Sequence, residues 1–191
     1  SLNSFKRQRQ TDASLIRIYF RYICVQNRSM YTEYQPSHLL VPYIDSYWEF
    51  KGNPDYGMRI HILPDGCTDF IFTLGEVANA VEEGSLIMQP YRSYFVGPMT
   101  KYSELVTYTE SIHMFGVRFL PCGLSCFTNL PLHEFVNSRV STNEMKAVFD
   151  DTFIEKLGEQ KHVTDRIRVV EEYLLAYLAR HYQPADSHVA M

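Results

Sequence analysis

The sequence predicts an α+β fold, in which an antiparallel sandwich or barrel is followed by a helical C-terminal segment. Between Met30 and Phe119 the chain contains several short stretches of alternating polar and apolar residues, separated by turn signals. After Phe119 the alternation gives way to apolar residues at helical spacing. The 191 residues are enough for one domain with a substantial core.

The stretch YIDSYWEF at 43–50 shows the strand pattern most clearly. Trp48 and Phe50 fall on one side of it, and Tyr47 and Glu49 fall on the other. An alternation of this kind is typical of a strand with two different faces. We therefore predict a strand here.

The stretch RIHILPDGCTDFIFTLG at 59–75 contains two alternating segments joined by Pro-Asp-Gly. Pro64 suits the first central position of a turn and Asp65 suits the second. Gly66 can adopt the left-handed conformation that closes the loop. The pattern predicts a β-hairpin whose two strands pair across this turn.

The strongest helix signal covers residues 163–182. Its apolar stripe contains Val163, Ile167, Val170, Leu174, Tyr177 and His181, at spacings of three and four. Asp165 lies near the start, Arg180 near the end and Pro184 beyond it, in agreement with the helix dipole and the stop rule. The stripe is wider than one packing face needs, so this helix is also a candidate for self-association.

Charge is distributed unevenly along the chain. The net charge is −4, yet residues 1–29 carry six basic residues and one acid, so the remainder is strongly acidic. An acidic body argues against direct contact with DNA. We interpret 1–29 as a basic N-terminal extension upstream of the domain, with an ordered helix or strand on the core as the alternative.

The cysteines and the hydropathy pattern predict where the protein resides. Four cysteines scattered in an ordinary composition do not form a disulfide framework, which favours a reducing cytoplasm. No uncharged apolar run reaches the roughly 18 residues that a membrane-spanning helix requires. We therefore expect a cytoplasmic protein without a membrane partner.

A catalytic or metal cluster is the first reading of the residues around the Pro-Asp-Gly turn. His61, Cys67 and Asp69, joined by His113 from a neighbouring strand, would supply four metal ligands. The sequence has no pair of histidines two residues apart that would support a metal site. Nothing in it marks an oxyanion hole, which would support a catalytic site. We therefore expect no catalytic residue, no metal and no cofactor.

A binding pocket is the second reading of the strand region. Arg59 and Arg118 lie on apolar strands, where an arginine either faces solvent or holds an anion inside a pocket. Trp48 would form an apolar wall, and His61 would add a polar contact. The candidate ligand-binding residues are therefore Trp48, Arg59, His61 and Arg118.

Four stretches together resemble the N-terminal regulatory domain of AraC-type bacterial transcription regulators. They are PSHLLVPYIDSYWEF, RIHILPDGCTDFIFTLG, YFVGPMTK and MFGVRFLPCGLSCFTNLPLHEF. The resemblance runs from Met30 to Tyr182. It implies a cupin-like β-barrel sensing domain at 30–120 and a helical linker and dimerisation segment at 121–185.

The resemblance also implies a function. The domain would sense a small-molecule effector, form a homodimer through the helix near 163–182, and contact DNA only through a C-terminal helix-turn-helix part missing from this chain. It would not be an enzyme. Two alternatives stay open, namely a metal-dependent cupin-like enzyme and an oligomerisation module without a ligand.

Overall fold

A computed structural model describes residues 30–62, 64–75, 80–82, 87–145, 148–149 and 151–181. In these residues nine antiparallel strands precede two α-helices, so the predicted α+β class is confirmed. The predicted extension at 1–29 lies outside the described residues.

The strands form two sheets. In chain order they are β1 (Tyr31–Tyr34), β2 (Ile44–Gly52), β3 (Met58–Ile62), β4 (Thr68–Thr73), β5 (Ala80–Glu82), β6 (Ser93–Val96), β7 (Ser103–Thr107), β8 (Ile112–Phe119) and β9 (Arg139–Ser141). The larger sheet has the order β1-β2-β8-β4-β6-β9, and the smaller has the order β3-β7-β5. A closed barrel is not seen among the described strands.

The alternation of the strands creates two separate apolar layers. Tyr47, Phe72 and Phe115 lie on one face of the larger sheet, in the core that contains the helices. Trp48 and Ile71 lie on the opposite face. The two faces predicted for β2 are therefore confirmed.

The second layer lies between the two sheets. Met58 and Ile60 of β3 and Leu105 of β7 pack in the same apolar cluster as Trp48 and Ile71 of the larger sheet. This inter-sheet core contains side chains from both sheets, so it joins them face to face. We call the surface of the larger sheet that faces it the inner face.

The predicted hairpin at 59–75 is wrong. Strand β3 pairs with β7, whereas β4 lies between β8 and β6 in the larger sheet. The turn residues Pro64, Asp65 and Gly66 therefore carry the chain from one sheet to the other. Gly66 has the predicted left-handed conformation, with φ +71°, so the turn chemistry was correct while the pairing was not.

The helices are α1 (Asp151–Glu159) and α2 (Val163–His181), and α2 confirms the long helix expected at 163–182. Val170 and Leu174 of α2 are fully buried against the larger sheet. Glu171 anchors the same helix, because its Oε1 accepts hydrogen bonds from the backbone N–H of Ser37 (2.7 Å) and the hydroxyl of Tyr47 (3.3 Å).

Not all of the segment predicted as helical at 121–185 is helical. Short 3₁₀ turns occur at Gly123–Cys126 and Leu132–Phe135, and β9 pairs with β6 at the edge of the larger sheet. Among the described helices, none is both long and apolar enough to cross a bilayer.

Candidate functional site

A row of side chains crosses the inner face of the larger sheet near one end. The strand register pairs Ser46 with Arg118, Arg118 with Asp69, Asp69 with Val96, and Val96 with Arg139. Directly paired residues of a sheet project from the same face. Five strands thus bring four polar side chains into one line facing the smaller sheet.

Asp69 is the centre of this row. One of its carboxylate oxygens, Oδ1, accepts a hydrogen bond from the indole Nε1 of Trp48 at 2.9 Å. Both carboxylate oxygens lie 3.2 Å from Nε of Arg118, which donates to them. The three residues are each 8% exposed, so the ion pair is almost removed from solvent.

Asp65 reaches the same arginine from the turn between the sheets. Its Oδ2 lies 3.8 Å from Nη1 of Arg118, and its Oδ1 accepts a hydrogen bond from the backbone N–H of Cys67 at 2.9 Å. Burial raises the pKa of Asp65, and Arg118 partly offsets that rise. The turn is therefore held to the larger sheet through Arg118.

The charge of Arg118 is maintained by its neighbours. Burial disfavours the charged guanidinium, but Asp69 and then Tyr31 and Asp65 outweigh that effect and raise the pKa of Arg118. A buried cation facing two carboxylates is stable only while those partners are present. The group of Trp48, Asp65, Asp69 and Arg118 is called the inner cluster below.

Gly116 makes room for the indole of Trp48. The two residues are paired across β2 and β8, and a Cβ added to Gly116 would lie 1.9 Å from Cε2 of the ring. The tryptophan therefore lies directly on the backbone of β8. On β1, the ring of Tyr31 has its centroid 6.1 Å from that of Trp48.

Cys67 is buried beside the inner cluster, and we expect its thiol to be unreactive in the folded protein. Burial, and then Asp65, raise the pKa of this thiol, so little thiolate is present at neutral pH. Cys122 is exposed. Brief treatment with N-ethylmaleimide, followed by peptide mass mapping, should label Cys122 and spare Cys67. Equal labelling in the native protein would contradict this prediction, and equal labelling in denaturant is its control.

The structure brings two of the four predicted ligand contacts together. Trp48 and Arg118 belong to the inner cluster. Arg59 does not, because its side chain is 64% exposed and pairs with Glu104 at 2.7 Å. His61 lies in β3 opposite Glu104, and its side chain lies outside the described residues.

The sequence reasoning missed the roles of two carboxylates. The sequence indicated Asp69 only as a possible metal ligand and Asp65 only as a turn residue. A usable signal was present for Asp69, because the alternation of β4 places it with Ile71 on the face opposite Phe70. No comparable signal exists for Asp65, since its contact with Arg118 depends on the crossover between the sheets.

Two of the four residues considered as metal ligands lie on opposite faces of the larger sheet. Asp69 faces the smaller sheet, whereas His113 bonds to Glu49 on the helix-facing side of the larger sheet. Among the described residues, no group of three or more His, Cys, Asp or Glu side chains is arranged to hold a metal ion. Asp69 and His113 therefore do not converge on one metal ion, and the side chain of His61 lies outside the described residues.

Comparison with known proteins gives a family. No curated protein matches the chain. The model of the domain of unknown function DUF6597 matches residues 32–141, which run from β1 to the end of β9 and include both sheets. Because this match covers more than half of the sequence, the chain belongs to the DUF6597 family.

Proposed function

We propose that this protein is the effector-sensing and dimerisation domain of an AraC-type transcription regulator. The observation that carries the proposal is the inner cluster, which places a buried arginine, two carboxylates and an indole between two sheets. Buried polar groups at the edge of an apolar interior are the usual recognition elements of small-molecule sites. The cupin-like barrel implied by the sequence resemblance is the finer fold that we propose for this pair of sheets.

The lining of the inter-sheet core supports a role in binding. Met30, Met88, Met99 and Met114 are all buried in that core, in the same apolar cluster as Trp48. Methionine is unbranched and fills irregular gaps, so such a lining can repack around a guest molecule. The inner cluster would then orient the polar end of the guest, and the methionines would enclose its apolar part.

In this proposal the helices respond to ligand binding. They pack on the face of the larger sheet opposite the inner cluster. A ligand that binds better to one arrangement of sheets and helices shifts the population toward that arrangement. In the complete regulator, the homodimer would form through α2, and DNA would be contacted by helix-turn-helix motifs beyond residue 191.

A ligand-free oligomerisation module is the second candidate. It is favoured by the fact that Asp69 already accepts hydrogen bonds from Trp48 and Arg118. A cluster that satisfies its own hydrogen bonds needs no guest. The metal-dependent enzyme has no comparable support from the described residues.

The only tryptophan of the chain provides the binding test. Trp48 lies in the inner cluster, so its fluorescence reports on that site alone. A library of small carboxylates, amines and sugars is screened by thermal shift, and stabilising compounds are then titrated against the emission of Trp48. The proposal expects at least one compound to change both signals. Stabilising compounds that never alter the emission would contradict binding at this site.

The regulator assignment has its own test, the DNA sequence that follows the codon for Met191. About 100 further codons with two helix-turn-helix patterns and a basic charge balance are expected. An immediate stop codon would contradict the regulator and leave a stand-alone domain.

A further inference from the structure

A second buried polar cluster lies on the other side of the larger sheet. Glu49 of β2 and His113 of β8 both project toward the helices, and Oε1 of Glu49 lies 2.8 Å from Nε2 of His113. Arg166, in the first turns of α2, donates from Nη1 to the same oxygen at 3.2 Å. The three side chains are only 7–16% exposed. One carboxylate oxygen of Glu49 therefore accepts from a nitrogen of the sheet and from a nitrogen of a helix.

Arg166 also holds the end of α1. Its Nε donates to the carbonyl oxygen of Leu157 at 3.2 Å, and its Nη2 donates to that of Gln160 at 2.6 Å. The last carbonyl groups of a helix lack partners within the helix. A single guanidinium thus caps α1, belongs to α2 and binds the sheet through Glu49.

His113 is the member of this cluster that changes its charge near neutral pH. The groups that face it are Glu49 and Lys51 of β2 and Arg166 of α2, and Tyr34 of β1 lies beside Glu49. Burial lowers the pKa of His113, Arg166 and Lys51 lower it further, and the bond to Glu49 opposes them. The neutral imidazole is therefore the form that fits the folded cluster.

We propose that Glu49, His113 and Arg166 form a proton-responsive clamp, in which protonation of His113 loosens the attachment of α2 to the larger sheet. A protonated imidazole places a second full positive charge at Oε1 of Glu49. The neutral ring already donates to that oxygen from Nε2, so protonation at Nδ1 adds a charge and not a bond, and this charge repels the guanidinium of Arg166. Arg166 then loses its bond to the sheet, and the first turns of α2 lose the contact that aligns them with β2. This proposal does not depend on the proposed function.

The direction of the pH effect follows from the lowered pKa. The unfolded chain binds a proton at the ordinary histidine pKa, about 6.5, whereas the folded cluster resists protonation until a lower pH. The stabilising contribution of neutral His113 is thus complete above about pH 6.5, and it is lost as the pH falls from there through the lower pKa of the folded cluster. Acidification, not alkalinisation, opens the clamp.

Hydrogen exchange of the α2 amides at 166–170 tests the clamp. Protection factors, corrected for the intrinsic pH dependence of exchange, are measured at about pH 7.5 and about pH 5.5, on either side of the ordinary histidine pKa. The wild-type protein should lose protection at these amides at the lower pH, because the opened cluster binds a proton at His113 more readily than the closed cluster does. Amides of β4 should show no comparable change.

Two variants separate the clamp from general acid sensitivity. In His113→Gln the side-chain amide can still donate to Glu49 but cannot be protonated, so the pH-dependent loss should disappear. In His162→Gln, which removes an exposed histidine just before α2, the loss should persist. An equal loss in His113→Gln, or no loss in the wild-type protein, would overturn the proposal.

A titration of the wild-type protein by nuclear magnetic resonance provides the measurement if His113→Gln does not fold. The ring signals of His113 and the amide signals of 166–170 should change with one shared midpoint, because one protonation causes both changes. Different midpoints would overturn the clamp even though no variant was used.

Discussion

Replacing Arg118 with methionine is expected to lower the free energy of unfolding at neutral pH by about 3–5 kcal/mol. The substitution keeps an apolar stem of similar length but removes the cationic partner of Asp69 and Asp65. It therefore leaves two carboxylates buried without their counter-charge. Urea unfolding followed by circular dichroism measures the change.

Arg59→Met is the matched control for this variant. Both arginines lie on strands and both pair with a carboxylate, but the side chain of Arg59 is largely exposed. Exposed pairs contribute about 0–1 kcal/mol, so this variant should be nearly as stable as the wild type. Adding Asp69→Asn to the Arg118→Met variant should recover part of the loss, because it removes one unpaired charge. Equal losses for the two arginine variants would contradict the assignment of the inner cluster as a buried ion pair.

Introducing a side chain at Gly116 is expected to be the second most damaging change. In Gly116→Val the new Cβ would occupy the space of the Trp48 ring, whose Cε2 lies 1.9 Å from that position. Overpacking of this kind costs about 1–3 kcal/mol, and losing the bond from the indole to Asp69 adds about 1–3 kcal/mol. The displaced indole should become more exposed, so the emission of the only tryptophan should shift to longer wavelength.

Gly158→Ala is the control for Gly116→Val. Gly158 lies within α1, and a Cβ added there meets nothing within 4 Å. Alanine stabilises the interior of a helix by up to about 1 kcal/mol relative to glycine. A small gain with unchanged tryptophan emission is therefore expected. Normal stability and unchanged emission for Gly116→Val would contradict the position assigned to Trp48.

The alternation and helical patterns predicted the elements of this fold well, because each is a local property. Tyr47 and Trp48 of β2 do face opposite layers, and α2 lies where its apolar spacing indicated. The pairing of the strands was not local. A Pro-Asp-Gly turn between two alternating segments has the same sequence pattern whether the two strands pair with each other or diverge into two sheets. Only the partners β7 and β8, far along the chain, distinguish the two cases.

The candidate site was only partly predictable, because it also depends on how distant strands pair. Arg59 and Arg118 both lie on apolar strands, and the residue type alone did not separate them. The alternation of β3 does distinguish the two arginines, because Arg59 lies between Met58 and Ile60. Those two side chains pack into the inter-sheet core, so Arg59 lies on the opposite face. The partnership of Arg118 with Asp69 required the register between β8 and β4, which no local pattern contains.

The place of β8 in the larger sheet also determines when this domain can assemble during synthesis. Strand β8 lies between β2 and β4, yet it leaves the ribosome after both of them. Until Phe119 has been made, β2 and β4 have no common neighbour, and their apolar faces remain unpacked. Sheets that depend on such distant pairing fold slowly, and exposed strand edges favour aggregation in the interval. The nascent chain therefore exposes the edges of β2 and β4 until β8 has been made.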